Sequence, residues 1–171
     1  QNDPQAQTFL GVLFSGGFGV EKDDKEAFKW VQKAAEQNHP HGQTNLGWAY
    51  AYGRGVEKDE KQAVKWYRKA AEQNYPRAQS FLGSMYARGR GVEKDDQEAV
   101  KWHLKAAEQN YPPAQFALGL RYANGQGVGK DERKAAEWYR KAADQKYSKA
   151  QNNLGVLYAY GRGVEKSEKE A

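Results

Sequence analysis

Cysteine is absent from the 171 residues. No disulfide framework and no thiol chemistry can be built from this chain, and pairing says nothing about its redox compartment. Nowhere is there a run of about 18 apolar residues, which excludes a membrane-spanning helix. No leader-like segment is visible. If one existed it was removed before Gln1, which would make the protein periplasmic or secreted; otherwise it is cytoplasmic. Blocks of like charge are missing as well. The 27 basic and 22 acidic residues, net +5, are mixed along the chain, which argues against a dedicated nucleic-acid arm. Histidine occurs three times, and a metal centre needs three or four ligands, so no metal or other cofactor is expected.

What is present pulls in two directions. The mean hydropathy of −1.05 and 29% charged residues are very polar for a compact globule. Low hydrophobicity favours disorder, but five Trp, 11 Tyr and six Phe argue against it. A thin, extended fold with much surface reconciles the two.

The repeat supplies that fold. GVEKD occurs at Gly19, Gly55 and Gly91, GVGKD at Gly127 and GVEKS at Gly163, each step being 36 residues. The same step links Leu10, Leu46, Leu82, Leu118 and Leu154, and also Trp30, Trp66, Trp102 and Trp138. Such self-similarity is the signature of a solenoid. We divide the single repeat domain 1–171 into units 6–41, 42–77, 78–113, 114–149 and a partial 150–171.

Each unit reads as two helices. In the second, the first helix covers roughly Pro40 to Tyr52, with Pro tolerated at the start and Gly53 fitting a left-handed stop. The next helix runs from about Asp59, its N-cap, to about Gln73. Gln62 forms a capping box with Asp59, as do Glu26 with Asp23, Glu98 with Asp95 and Glu170 with Ser167. Asp131 with Lys134 keeps the cap and loses the box. At 100° per residue, Gly42, Leu46 and Tyr50 share the buried stripe of the first helix. Ala63, Trp66, Tyr67 and Ala70 form that of the second. Gly47, recurring in every unit, implies close helix approach. The row Arg54, Arg90 and Arg162 then reads as spaced loop cations, and the twin glycines around Arg54 as architecture rather than a phosphate cradle.

The stretch AQSFLGSMYARGRGVEKDDQEAVKWHLKAAEQNYPP, Ala78 to Pro113, resembles a Sel1-like repeat, a relative of the tetratricopeptide repeat. The resemblance covers almost the whole chain. It implies an all-α fold, an α/α solenoid coiled as a right-handed superhelix of 36-residue helix–turn–helix repeats, first helices on the concave side. It also implies an adaptor that assembles protein complexes, often in bacteria. One branch of the family is cysteine-rich, disulfide-bonded and exported, and has been described as β-lactamase-like. The absence of cysteine sets this chain apart from that branch.

In a solenoid the repeated positions make the scaffold, so partner information lies where the units differ. The outward stripe of the first helices carries Trp48, Tyr52 and Thr44, then Ser84 and Arg88, then Phe116, Leu120 and Asn124, and finally Tyr160. Trp48 is the one tryptophan off the repeated Trp position. A stripe with Trp, Tyr, Phe and Arg has hot-spot composition. Phe9 and Phe81, at the border of the core, are expected to pack between units. No Asp or Glu falls on any first helix, while Arg121 borders the stripe and His41, Arg77 and Lys149 lie near helix starts. The face therefore suits a protein or peptide with apolar anchors and acidic groups.

Other functions fit less well. The stripe holds no carboxylate pair, and none of Ser15, Ser80, Ser84, Ser148 or Ser167 has Lys three residues on, which weakens a β-lactamase-like hydrolase. His39-x-His41 is a weak metal pair on a turn, and His103 occupies a tyrosine slot in the packing. Lys33, Lys69, Lys105 and Lys141 are each followed three residues later by an acid, which reads as solvated pairing rather than a phosphate track. Binding without catalysis is the expectation. A purely structural array is the further alternative, because the chain stops inside a second helix at Ala171. Either more sequence follows, or this uncapped repeat associates end to end with another chain.

Overall fold

In the computed structural model, residues 2–169 are described, and they hold nine α-helices and no strand. Every helix has 13 residues: α1 Pro4–Gly16, α2 Asp24–Glu36, α3 Pro40–Tyr52, α4 Glu60–Glu72, α5 Pro76–Arg88, α6 Asp96–Glu108, α7 Pro112–Asn124, α8 Glu132–Asp144 and α9 Ser148–Tyr160. A helix this short is marginal alone in water, so packing has to hold it. The chain divides into two compact units after Lys94. In the first, α1 to α5 pack each on the next, and α1 also touches α3, as α3 touches α5. In the second, α6 packs on α7, α7 on α8 and α8 on α9.

Helix starts and stops follow local chemistry. Proline opens α1, α3, α5 and α7, where its missing N–H is no loss. Gly53, at φ +67°, ends α3 in the left-handed region and donates its N–H to the Ala49 carbonyl. Asp59 caps α4, its carboxylate accepting from the Gln62 N–H at 2.9 Å. The reciprocal half of the expected capping box is not used. The N–H groups of Asp23, Asp59, Asp131 and Ser167 donate instead to the carbonyls of Phe14, Tyr50, Tyr122 and Tyr158 in the preceding helix, at 2.8 to 3.1 Å. That explains why Lys134 is accepted at the third position after Asp131. Glu170 lies outside the described residues.

The stripes bury largely as their spacing predicts, but the tryptophans do not sink fully. Ala63, Tyr67 and Ala70 are at most 2% exposed, whereas Trp66 is half-buried. Trp66 lies instead against the cluster of Val31 and Ala35 from the preceding repeat and Leu46 of its own, with Lys69 Nζ 4.3 Å above its ring. Lys33, Lys105 and Lys141 cover Trp30, Trp102 and Trp138 alike. These ammonium groups sit on indole faces, a cation–π contact, and not on the acids three residues on. Gly47 is needed where it stands: a Cβ there would lie 2.8 Å from the Tyr67 ring.

The loop arginines pair across repeats. Arg90 Nε donates to Glu60 Oε1 at 2.8 Å, Arg54 lies 3.5 Å from Asp24 and Arg162 3.4 Å from Glu132. Lys58 and Arg90 together hold the Glu60 carboxyl below its usual range. Each acid is the first residue of a second helix, where negative charge also meets the helix dipole. The fourth repeat has Gln126 at the arginine position, and Arg121 reaches the equivalent acid, Asp96, from α7 at 2.7 Å. Arg121→Ala should therefore lower stability by about 1–2 kcal/mol, since charged hydrogen bonds exceed neutral ones and partial exposure discounts them. Adding Gln126→Arg should restore at least half of the loss in urea unfolding. No restoration would show that the two arginine positions are not equivalent.

Candidate interaction face

In the first unit, α3 presents Trp48 and Tyr52 one turn apart, ring centroids 5.2 Å and interplanar angle 41°. Tyr52 is 52% exposed and Trp48 half-buried. The guanidinium of Arg54 lies 5.9 Å from the Trp48 ring, and that of Arg90 5.9 Å from the Tyr52 ring. Both arginines are held by their acids, so the ring pair is flanked by fixed cations. Arg88 is exposed at the end of α5, and Ser84 is half-buried, its hydroxyl donating to the Ser80 carbonyl at 3.0 Å.

Thr44 corrects the expectation. It is fully buried, its Oγ1 donating to the Pro40 carbonyl at 2.7 Å. A first helix is enclosed by its partner helix and by the first helices on either side, so less of its circumference is free than a two-sided wheel allows. Phe9 corrects it the other way: it is 61% exposed, while Phe81 packs on Tyr67 with centroids 5.1 Å apart. α1 has no preceding repeat among the described residues to cover Phe9.

In the second unit, Phe116 is wedged between Tyr139 and Tyr147, at 5.7 and 5.6 Å. Leu120 packs on the same cluster around Tyr139 and Leu157. Both serve the core of that unit. Asn124 is exposed, and Tyr160 is 73% exposed.

The titratable groups near this surface explain themselves structurally. His39 is the N-cap of α3, its Nδ1 accepting from the Gly42 N–H at 3.3 Å. His41 stacks loosely on Tyr75, and burial, then Arg77 and His39, lowers its basicity. No group of three or more His, Asp or Glu converges as a metal site among the described residues. His103 is buried in its tyrosine slot. Burial pushes the Tyr67 and Tyr139 hydroxyls up, away from acid–base use at neutral pH.

Two hollows adjoin on this side of the first unit. One, about 260 Å³, lies between α1, α2 and α3 and is walled by Val31, Asn45 and Trp48. The other is a shallower depression of about 590 Å³ at Phe9 and His41. Arg77 borders both, and among the described residues it forms no ion pair. The sequence signal for the first hollow lies in three repeat columns read together, not in Trp48 alone.

Two-helix repeats with varied residues on the first-helix face define an α/α solenoid scaffold. The chain belongs to the Sel1 repeat family, matching it over residues 4–39, 40–75, 76–111, 112–147 and 148–171. That solenoid is in general a protein–protein interaction scaffold. A Sel1 repeat protein from Oxalobacter formigenes is 44% identical with a TM-score of 0.93, over 99% of this chain and 69% of that one. A protective antigen present in uropathogenic Escherichia coli strains is 42% identical with a TM-score of 0.88, over 96% of this chain and 35% of that one. Cysteine-rich protein B of Helicobacter pylori is 29% identical with a TM-score of 0.62, over 81% of this chain and all of that one. Among curated proteins, none matches the chain. No helix among the described residues is long and apolar enough to cross a membrane.

Proposed function

We propose that this chain is a binding scaffold with no catalysis of its own, taking a protein or peptide segment on its first-helix faces. Trp48 and Tyr52 are the apolar anchors, and Arg88 receives acidic groups. The observation that carries this reading is the exposed Tyr52 ring stacked on Trp48, on a face whose helices α1, α3 and α5 contain no carboxylate. Large rigid rings give contact area at low entropic cost, and the exposed Arg88, on a helix without acids, favours acidic groups. Ser84 borders the anchors. In the second unit Asn124 and Tyr160 are the exposed candidates of that unit's own face, while Thr44, Phe116 and Leu120 have structural work and leave the proposal.

The test uses peptides selected from a random display library on the intact chain. Their affinity is then measured for the wild type and for the Trp48→Ala, Tyr52→Ala double variant. We expect at least a tenfold loss, on the order of 1.4 kcal/mol. Unchanged affinity in a folded double variant removes the assignment.

A further inference from the structure

The hollow between α1, α2 and α3 exists because the first junction is built from smaller residues than the second. Where the second junction has Tyr67, Phe81 and Met85, the first has Val31, Asn45 and Ala49, each 36 positions earlier. Tyr67 is 2% exposed, its ring 5.1 Å from that of Phe81, and Met85 is 5% exposed, so the three fill their junction. In the first junction the larger Phe28 and Trp48, standing where Val64 and Ser84 stand in the second, form walls of the space and leave about 260 Å³ open. Interiors are close-packed, so a hollow of this size facing outward is a departure from the repeat's own packing rule.

We infer that this hollow is a receptor for one aromatic side chain of a bound protein segment, with an adjacent carboxylate of that segment meeting Arg77. The inference rests on the proposal that this face binds proteins. The partner's ring takes the place that Tyr67 and Phe81 occupy one repeat later. The volume decides the class of occupant. Small-molecule clefts begin near 300 Å³, whereas a cavity of about 150 Å³ admits a benzene ring, so this space holds one side chain and leaves the rest of the affinity to the surface around Trp48 and Tyr52. Charge decides the neighbour. At the rim Asp24 is already matched by Arg54, at 3.5 Å, whereas Arg77 pairs with no acid among the described residues. Asp3 and His41 face the adjoining depression.

The experiment titrates 3-phenylpropionate, a ring with one carboxylate, into the isotope-labelled intact chain and follows amide shifts by NMR. We expect saturable binding with dissociation constants in the millimolar range, about what so few atoms can supply, with shifts centred on Val12, Val31 and Ala49. Arg77→Gln, or the neutral 3-phenylpropionamide as probe, should weaken binding several-fold. Val31→Tyr, and separately Asn45→Phe, install residues the chain itself uses in the next repeat. Each should abolish the shifts without lowering the melting temperature. Absence of saturable shifts, or binding unchanged by Val31→Tyr, overturns the inference. A dimer seen by ultracentrifugation and dissolved by Val31→Tyr would assign the hollow to a second copy and overturn it too. With the selected peptides the two readings separate. If Val31→Tyr leaves peptide affinity intact while the Trp48, Tyr52 double variant removes it, the receptor fails and the binding face stands. If the reverse holds, the receptor stands and the anchors fail.

Discussion

Replacing Gly91 by alanine should lower the unfolding free energy by roughly 2–5 kcal/mol, while the same change at Gly19 should cost only about 1–2 kcal/mol. The two glycines occupy the same repeat position and nearly the same backbone conformation, φ +68° and +73°. Both variants therefore pay the left-handed penalty of an L residue, about 1–2 kcal/mol. Only Gly91 faces a neighbour. A Cβ there would fall inside the carbonyl group of Glu60 and lie 2.9 Å from the Lys61 nitrogen, whereas nothing lies within 4 Å at Gly19. Those atoms belong to the first turn of α4, which cannot yield as a flexible side chain does, so overpacking adds its own cost of roughly 1–3 kcal/mol. Gly55 meets Asp24 in the same way, and Gly163 meets Glu132. Urea unfolding of the two variants and the wild type, followed by circular dichroism, gives the difference. Equal losses would mean that the glycine is kept for its dihedral angle alone and that close repeat approach is not what it secures.

Much of this was legible in the sequence, because a 36-residue step repeats its own evidence. The bounds of α3 follow from Pro40 and Gly53, and the bounds of α4 follow from Asp59 and the polar residues after Glu72. The helical wheel failed where it treated one helix as having one buried side. Thr44 is buried although it lies off the Leu46 stripe, on a helix that touches first helices on both sides, and its hydroxyl is satisfied by its own helix, so burial costs it little. Trp66 differs from its wheel position in depth rather than direction: it belongs to the packing against the preceding repeat, under a lysine. Tyr52 shows its exposure through its neighbours, since it directly precedes the helix stop. The hollow was harder to see, because no single residue marks it. Val31, Asn45 and Ala49 are each unremarkable, and only their joint contrast with Tyr67, Phe81 and Met85 shows that volume is missing.

The polar residues inside the repeat junctions give the second large effect. Gln43→Leu, which keeps the side chain's approximate size, should cost about 2 kcal/mol. Gln43 is 1% exposed and fully engaged. Its Nε2 donates to Asn38 Oδ1 at 2.9 Å and, at 3.5 Å, to the carbonyl of Ala35, which also accepts from the Asn38 N–H at 3.0 Å where α2 ends. Its Oε1 accepts from Gln73 Nε2, at the end of the second helix of the same repeat, at 2.7 Å. The second unit repeats the arrangement, Gln145 donating to Gln115 at 2.8 Å. Leucine would supply apolar burial, yet it would leave Asn38 and Gln73 to rearrange toward water and toward each other, a contact that already exists at 3.2 Å. That fallback is why the expected loss stays well short of an orphaned charge. A double-mutant cycle isolates the link from Gln43 to Gln73: Gln73→Ala alone should cost under about 1 kcal/mol because Gln73 is exposed, and the pair should show a coupling of about 0.5–1.5 kcal/mol. If the leucine variant unfolds at or above the wild-type urea midpoint, the glutamine ladder does not stabilise the stack. Its place in all five repeats, at Gln7, Gln43, Gln79, Gln115 and Gln151, would then have to be explained by register, since the last four each donate to one carbonyl of the preceding repeat, and an apolar contact can slide where such a hydrogen bond cannot.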